Sequence, residues 1–99
     1  MSKYRNIRHG KYPSRKEANM AANLAVLQRD GVISDLKEQV VFELVPKQEG
    51  ERPVLYVADF TYIENGKLVV VDVKGFRTKE YILKRKLMLY RYGIRIHEA

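Results

Sequence analysis

Two β-rich runs with apolar and polar residues interleaved, one over residues 54–64 and one over 67–74, meet at Asn65-Gly66. Alternation with period two marks strands, and an Asn-Gly pair between two such runs is a strong signal for a two-residue hairpin turn. With Glu64 and Lys67 flanking the turn, the register sets Asp59 directly opposite Asp72. Lys74, two residues further on, points to the same face. The two faces of this hairpin differ. Ala58, Phe60, Tyr62, Val69, Val71 and Val73 make one apolar face. Val57, Ile63, Leu68 and Val70 share the other with Asp59, Asp72 and Lys74. Both faces need cover, so helices are expected over the sheet, with a cleft left over the polar end.

The remaining pattern fills in those helices. Pro13 precedes Ser14-Arg15-Lys16-Glu17, a capping box that opens a helix running to about Arg29, with Gly31 suited to its C-terminal cap. Its inner stripe is Met20, Leu24 and Leu27. Alanines widen that stripe until only Asn19 and Asn23 clearly face solvent, which predicts a well-covered helix. A strand is expected at 40–45, reaching back toward residue 36, followed by a polar, flexible connection over 46–53. Thr78 caps a second helix that ends before Gly93, and Ile94-Arg95-Ile96 alternates as a short last strand. The order is α-β-β-β-α-β: a mixed α+β (α/β) domain with a central sheet of about four strands flanked by helices. Residues 14–99 read as that single domain and residues 1–13 as a basic N-terminal arm.

Composition narrows the chemistry. At 99 residues the chain is one small domain with a modest core. It has no cysteine, which excludes disulfides and thiolate metal sites and fits a reducing compartment. No apolar run approaches the ~18 residues of a membrane span, and no apolar stretch follows the basic N-terminus as in a secretory signal. The net charge of +7 favours a polyanionic partner.

Two carboxylates set opposite each other on a strand pair repel at Cβ separations of roughly 4.5–5.5 Å. Placed beside one lysine on otherwise apolar strands, Asp59 and Asp72 point to a divalent cation between them. Magnesium takes oxygen ligands, commonly one or two carboxylates with waters and substrate phosphate. Lys74 is placed to orient a water or to meet negative charge on a phosphodiester as a point cation. The plain alternative is an Asp–Lys ion pair on a solvated strand face. Glu17 is open between two roles. It is the glutamate of the capping box, yet it lies three, four and seven residues before Met20, Ala21 and Leu24, on the buried stripe.

These residues resemble the PD-(D/E)xK nuclease superfamily, whose core is also α-β-β-β-α-β. The superfamily's Asp followed by (Asp/Glu)-x-Lys corresponds to Asp59 and Asp72-Val73-Lys74, and its first-helix glutamate to Glu17. More narrowly, the chain resembles small phage and prophage endonuclease-like proteins of that fold, relatives of Holliday-junction resolvases. These carry Ser-x-x-Glu, Leu-x-x-Gln, Ala-Asp-Phe and Asp-Val-Lys-Gly, here Ser14–Glu17, Leu36–Gln39, Ala58–Phe60 and residues 72–75. The proline that names the motif is replaced by Ala58, and Asp72 in place of Glu shortens the reach by one methylene. The resemblance implies a Mg²⁺-dependent endodeoxyribonuclease, with Mn²⁺ able to substitute and no small-molecule organic cofactor. Asp59, Asp72 and the Val73 carbonyl would ligate the metal, with Lys74 as the catalytic lysine. Glu17 would complete the metal shell or aid proton transfer. It implies phage DNA recombination, repair or processing in the cytoplasm of a bacterial host, on duplex or branched DNA. A domain this small covers little duplex, so a homodimer is expected where two strands are cut.

The resemblance also bears on weaker candidates. It brings Gln39 near the site as a substrate contact; by pattern alone Gln39 is an edge-strand amide. The second helix holds Lys84, Arg85 and Lys86 as phosphate contacts, with Lys86 between Ile82 and Tyr90 bordering the inner stripe. Lys11, Arg15 and Lys16 extend a second basic set with Lys3, Arg5 and Arg8, suited to an arm that orders on nucleic acid. Tyr56, Tyr62 and Tyr90 are assigned to the core, and His9 and His97 to the surface. The alternative function is a nucleic-acid-binding module of the same fold without turnover.

Overall fold

The computed structural model describes residues 10–74 and 76–99. Ser14 caps helix α1, Arg15–Arg29, by accepting a hydrogen bond from the Glu17 N–H at 3.1 Å. The helix closes where Gly31 takes a left-handed φ of +80°, with the Gly31 N–H on the Gln28 carbonyl and the Val32 N–H on Leu27. Strand β1, Ser34–Val45, follows, then β2, Val54–Glu64, and β3, Lys67–Asp72. Helix α2, Lys79–Tyr92, is capped by Thr78 and ends at Gly93 with φ +68°. Strand β4 is His97–Glu98. The domain is mixed α+β, with four strands in the order β1-β2-β3-β4. The first three are antiparallel neighbours and β4 runs parallel to β3. Among the described residues no helix is long and apolar enough to cross a membrane.

The β2–β3 hairpin has the expected register, from Glu64↔Lys67 to Phe60↔Val71, with Asn65 and Gly66 both at positive φ. Its apolar face differs from the expectation at one residue, Ala58. Phe60, Tyr62, Val69, Val71 and Val73 pack with Ala21 and Leu24 of α1. Ala58 instead joins Tyr56, Val70, Leu44, Tyr81 and Met88 on the α2 side. In a regular strand, residues two apart share a face. Ala58 and Phe60 do not, so β2 changes faces at Asp59. Strand β1 does the same: Leu36 packs on the α1 side, whereas Phe42 and Leu44 lie on the α2 side. The register pairs Glu38 with Phe60 and Val40 with Ala58, so both switches fall at the Gln39–Asp59 level. Gln39 carries φ +54°, a left-handed conformation that interrupts the regular pleat within the strand.

Three other expectations are corrected. Helix α1 is covered on one stripe only: Glu17, Ala21 and Leu24 are buried, while Val26 and Leu27 are exposed. A helix lying on one sheet face contacts it along a single stripe, whatever the alanine content of its flanks. The last strand lies at 97–98, where His97 and Glu98 pair with Val71 and Asp72. Ile94 and Ile96 supply half-buried side chains to the α2 cluster instead. The 46–53 connection is a closed turn in which Gln48 and Glu51 exchange two backbone hydrogen bonds, at 3.0 and 3.2 Å.

Candidate functional site

The β2–β3 ladder ends at Phe60↔Val71, one residue short of the two aspartates. Past that point the Asp59 carboxylate, rather than a backbone carbonyl, accepts the Val73 N–H, at 2.7 Å. Asp59 is therefore held by the segment between Asp72 and Lys74, at the level where β2 changes faces. Burial pushes its pKa up, the Val73 N–H opposes that, and the Asp72 charge adds to it; a hydrogen bond from Gln39 and the charge of Lys74 pull it down.

Asp72 turns the other way. It is 2% exposed, and one oxygen accepts the Tyr56 hydroxyl at 2.6 Å. The other, Oδ1, lies 3.2 Å from the Lys74 ammonium without hydrogen-bond alignment, so among the described residues it has charge compensation but no donor. Lys74 Nζ also stands 4.5 Å from the centre of the Tyr81 ring, a cation–π arrangement. The Lys16 ammonium reaches the Lys74 carbonyl at 3.2 Å, tying the start of α1 to the end of β3.

Glu17 is 6% exposed, and its carboxylate does not close the capping box. It accepts the Gln39 amide at 3.4 Å. Burial raises its pKa, and the charges of Asp59, Asp72 and Glu38 raise it further against Lys74. Gln39 lies exposed on the edge strand, as its pattern alone suggested, and its amide reaches Glu17 there. Tyr12 and Lys11 fix Glu38, at 3.0 and 3.6 Å.

Two grooves flank these residues. One, of about 490 Å³, is lined by Lys11, Tyr12, Glu17, Glu38, Gln39 and Asp59. The other, of about 300 Å³, is lined by Tyr56, Asp72, Lys74, Thr78, Tyr81 and Lys84, among others. The acids are adjacent in register and coupled in charge, yet they open into different grooves. Among the described residues no three His, Cys, Asp or Glu side chains stand close enough together to hold an ion.

The basic candidates separate as well. Lys84 lines the Asp72 groove and pairs with Glu80 at 3.3 Å. Arg85 is engaged by Glu98 at 3.0 Å. Lys86 is exposed and lines a third groove with Arg85, Leu89, Arg95, Ile96 and Glu98. Tyr90, assigned to the core from its spacing, is 88% exposed. The buried stripe of α2 runs through Tyr81 and Met88, which turns Tyr90 and Lys86 outward. Arg15 is exposed at the start of α1. Lys3, Tyr4, Arg5, Arg8, His9 and Gly75 lie outside the described residues.

The model of a family described as a protein of unknown function (DUF1064) matches residues 1–97. The chain belongs to that family. Comparison with curated proteins and with solved structures gave no match.

Sequence reasoning missed three members of this DUF1064 site. Tyr56, read as core, is core and also the hydrogen-bond donor to Asp72. Tyr81 carries the ring under Lys74, and its hydroxyl donates to Glu98 at 2.7 Å. Glu98 also accepts Arg77 and Arg85, at 2.9 and 3.0 Å. The Tyr81 hydroxyl first, then the two guanidinium groups, hold Glu98 down to about 2. Tyr56 gave no signal, because regular alternation puts it on the face of Ala58 and Phe60, away from Asp72, and only the change of faces at Asp59 brings it there. Glu98 gave none, because its role depends on β4 docking beside β3.

Proposed function

We propose that this protein is a metal-dependent endonuclease acting on DNA, with the carboxylate cluster at the middle of β2 and the end of β3 as its site. One observation carries the reading: Glu17, Asp59 and Asp72, from three different elements, interact electrostatically with one another and with the Lys74 ammonium, which lies 3.2 Å from Asp72. Buried like charges cost stability unless compensated, and such arrangements concentrate at functional sites.

By their chemistry these carboxylate oxygens suit a hard divalent cation such as Mg²⁺ or Mn²⁺, and holding one would draw Asp59, Glu17 and Asp72 together from the two grooves into which they open. Asp72 Oδ1 is a buried carboxylate oxygen with no hydrogen-bond donor, and Asp59 and Glu17 supply further oxygens. Asp59, Asp72 and the Val73 carbonyl would hold the cation, with Glu17 completing the acidic set. A bound divalent cation would lower the pKa of water and stabilise negative charge on a phosphodiester. Lys74, held between Asp72 and the Tyr81 ring, would orient the attacking water and meet the charge that develops on phosphate. Lys84 and Lys16 would contact phosphates beside the cleft, and the net charge of +7 would draw the polyanion in. A homodimer would serve to cut both strands.

A second reading has its own support. Asp59 and Asp72 open into separate grooves, which would leave a nucleic-acid-binding module of this architecture without turnover. Cleavage assays on duplex, single-stranded, flap and four-way-junction DNA with Mg²⁺ or Mn²⁺ separate the two. The nuclease reading expects cutting that Asp72→Asn and Lys74→Ala each reduce at least 100-fold, about 3 kcal/mol of barrier. Calorimetric titration with Mn²⁺ should give heat for the parent and none for Asp59→Ala. Variants that cut as well as the parent, or a parent that neither binds metal nor cuts, overturn it.

A further inference from the structure

The outward side of α2 carries large apolar groups at exposures unusual for a domain with two core clusters. Tyr90 is 88% exposed, Leu83 58%, and Phe76, just ahead of the helix, 78%. Leu83 and Tyr90 are seven residues apart, as are Lys79 and Lys86. Positions 79, 83, 86 and 90 fall on one stripe of a helix, at steps of four, three and four. Cation and apolar group therefore alternate along it. Lys84 and Arg85, on the neighbouring stripes, are each paired with a carboxylate. Among the described residues Lys79 and Lys86 have no ion-pair partner.

The stripe has definite ends. Phe76 lies two residues after Lys74, and Lys79 follows Thr78, which lines the Asp72 groove. At the far end Lys86 enters a groove of about 360 Å³ that also holds Arg95.

Its chemistry selects an occupant. A two-fold pairing of copies through this face would gather four lysines without carboxylate partners in one interface, on a molecule that already carries +7. A polyanion with exposed π faces complements both components of the stripe. Duplex DNA offers phosphates, but its bases are stacked on one another. Unpaired bases are free to stack on aromatic side chains, and flanking lysines track their phosphates. We propose that the Phe76–Lys79–Leu83–Lys86–Tyr90 stripe binds an unpaired DNA strand leading out of the carboxylate cleft. The inference rests on the nuclease reading for where the strand leads, and not for the binding itself.

The test is fluorescence anisotropy in EDTA, using the full chain with a labelled oligothymidylate, a duplex of equal length and an oligouridylate. Tyr90→Ala and Phe76→Ala remove side chains that are almost wholly exposed, so the fold is retained, and thermal unfolding checks this. Each should weaken oligothymidylate binding about tenfold, the loss of one base–aromatic stack. Duplex affinity should stay within about twofold of the parent. Lys79→Ala with Lys86→Ala should weaken both and flatten the salt dependence on the single strand by about 1.4 in log–log slope, two phosphates' worth. Unchanged oligothymidylate binding in Tyr90→Ala overturns the proposal. So does tighter binding of oligouridylate, or a parent dimer that Tyr90→Ala dissociates in sedimentation. If Tyr90→Ala loses the single strand while parent and Asp72→Asn alike fail to cut, the stripe stands and the nuclease reading falls.

Discussion

Replacing Glu17 by Gln should make this protein more stable at neutral pH and less able to bind metal. Three effects set the sign. The helix N-terminus favours a negative charge in the first turn by about 0.3–1 kcal/mol, which Gln forfeits. The Gln39 amide bond, at 3.4 Å, is long and contributes little. Against these stand burial and the repulsion of Asp59, Asp72 and Glu38, which together raise the Glu17 pKa despite Lys74. A carboxyl whose folded pKa exceeds its unfolded value binds its proton more tightly when folded. Its ionised form therefore costs stability at neutral pH, and that cost is relieved as pH falls through the raised value toward the ordinary 4.5. The pKa is raised, so repulsion and burial win. A net gain of about 1 kcal/mol is typical when a strained functional charge is removed. For 99 residues that is a rise in Tm of about 5 °C. Thermal unfolding in EDTA at low salt, at neutral pH and again near pH 4.5, measures both claims: the variant leads at neutral pH and the gap closes in acid. A lower Tm for the variant at neutral pH, undiminished in acid, would show that Glu17 is a structural cap and that the acidic cluster is not held under charge strain.

Further outcomes follow from other contacts. Tyr56→Phe removes the hydroxyl that donates to Asp72 at 2.6 Å and should cost about 2 kcal/mol, or roughly 10 °C in Tm; an unchanged Tm would remove Tyr56 from the site. Tyr81→Leu should abolish the upfield ring-current shift of the Lys74 side-chain protons in NMR, while Tyr81→Phe keeps it; shifts unaffected by Leu would mean the ammonium does not rest on the ring. Glu98, held down to about 2, adds stability above pH 4.5 that is lost as pH falls toward 2, trimmed by solvent screening to ~1–2 kcal/mol. Glu98→Gln should flatten acid unfolding followed by circular dichroism across that window, and parallel curves would refute the assignment. Gln39→Gly relieves the φ of +54° and should hold stability or raise it by up to about 1 kcal/mol in thermal unfolding while weakening Mn²⁺ binding; a clear loss of stability would make the amide structural.

Local signals in the sequence carried far where local chemistry decides. Ser14, Thr78, Gly31, Gly93 and Asn65-Gly66 each fix a backbone angle or satisfy an orphan donor, so helix ends and hairpin register were legible. The Asp59–Asp72 adjacency followed from that register. What each carboxylate faces did not, because it depends on where the ladder stops and on Tyr56 arriving from the neighbouring strand. Tyr90 shows the limit of helical spacing. Its separation from Ile82 and Lys86 is right for a shared stripe, but which stripe is buried was set by Tyr81 and Met88 against the sheet. The short last strand shows another limit. Two residues pairing in parallel with Val71 and Asp72 need no β pattern of their own when the α2 crossover delivers them.

The switch of faces at Gln39 and Asp59 ties the fold to the site. A sheet sandwiched between two helices normally buries each side chain on one core or the other, and a carboxylate in either would be desolvated without recourse. Where both strands exchange faces at the same level, the residue at the crossing belongs to neither core. Asp59 occupies that crossing on β2 and Gln39 on β1, with the Gln39 amide on Glu17 at 3.4 Å. Strand β3 ends one residue beyond the last ladder pair, freeing the Val73 N–H for the Asp59 carboxylate. The backbone donor that steadies Asp59 and the carbonyl proposed as a ligand therefore come from one residue, flanked by Asp72 and Lys74. Any change that regularised the strands here, restoring one face to Ala58 and Phe60, would drive Asp59 toward an apolar core and dissolve the cluster. The irregular backbone is thus a condition of the acidic site, and its cost in strand geometry is met by the two helices that pack on either side.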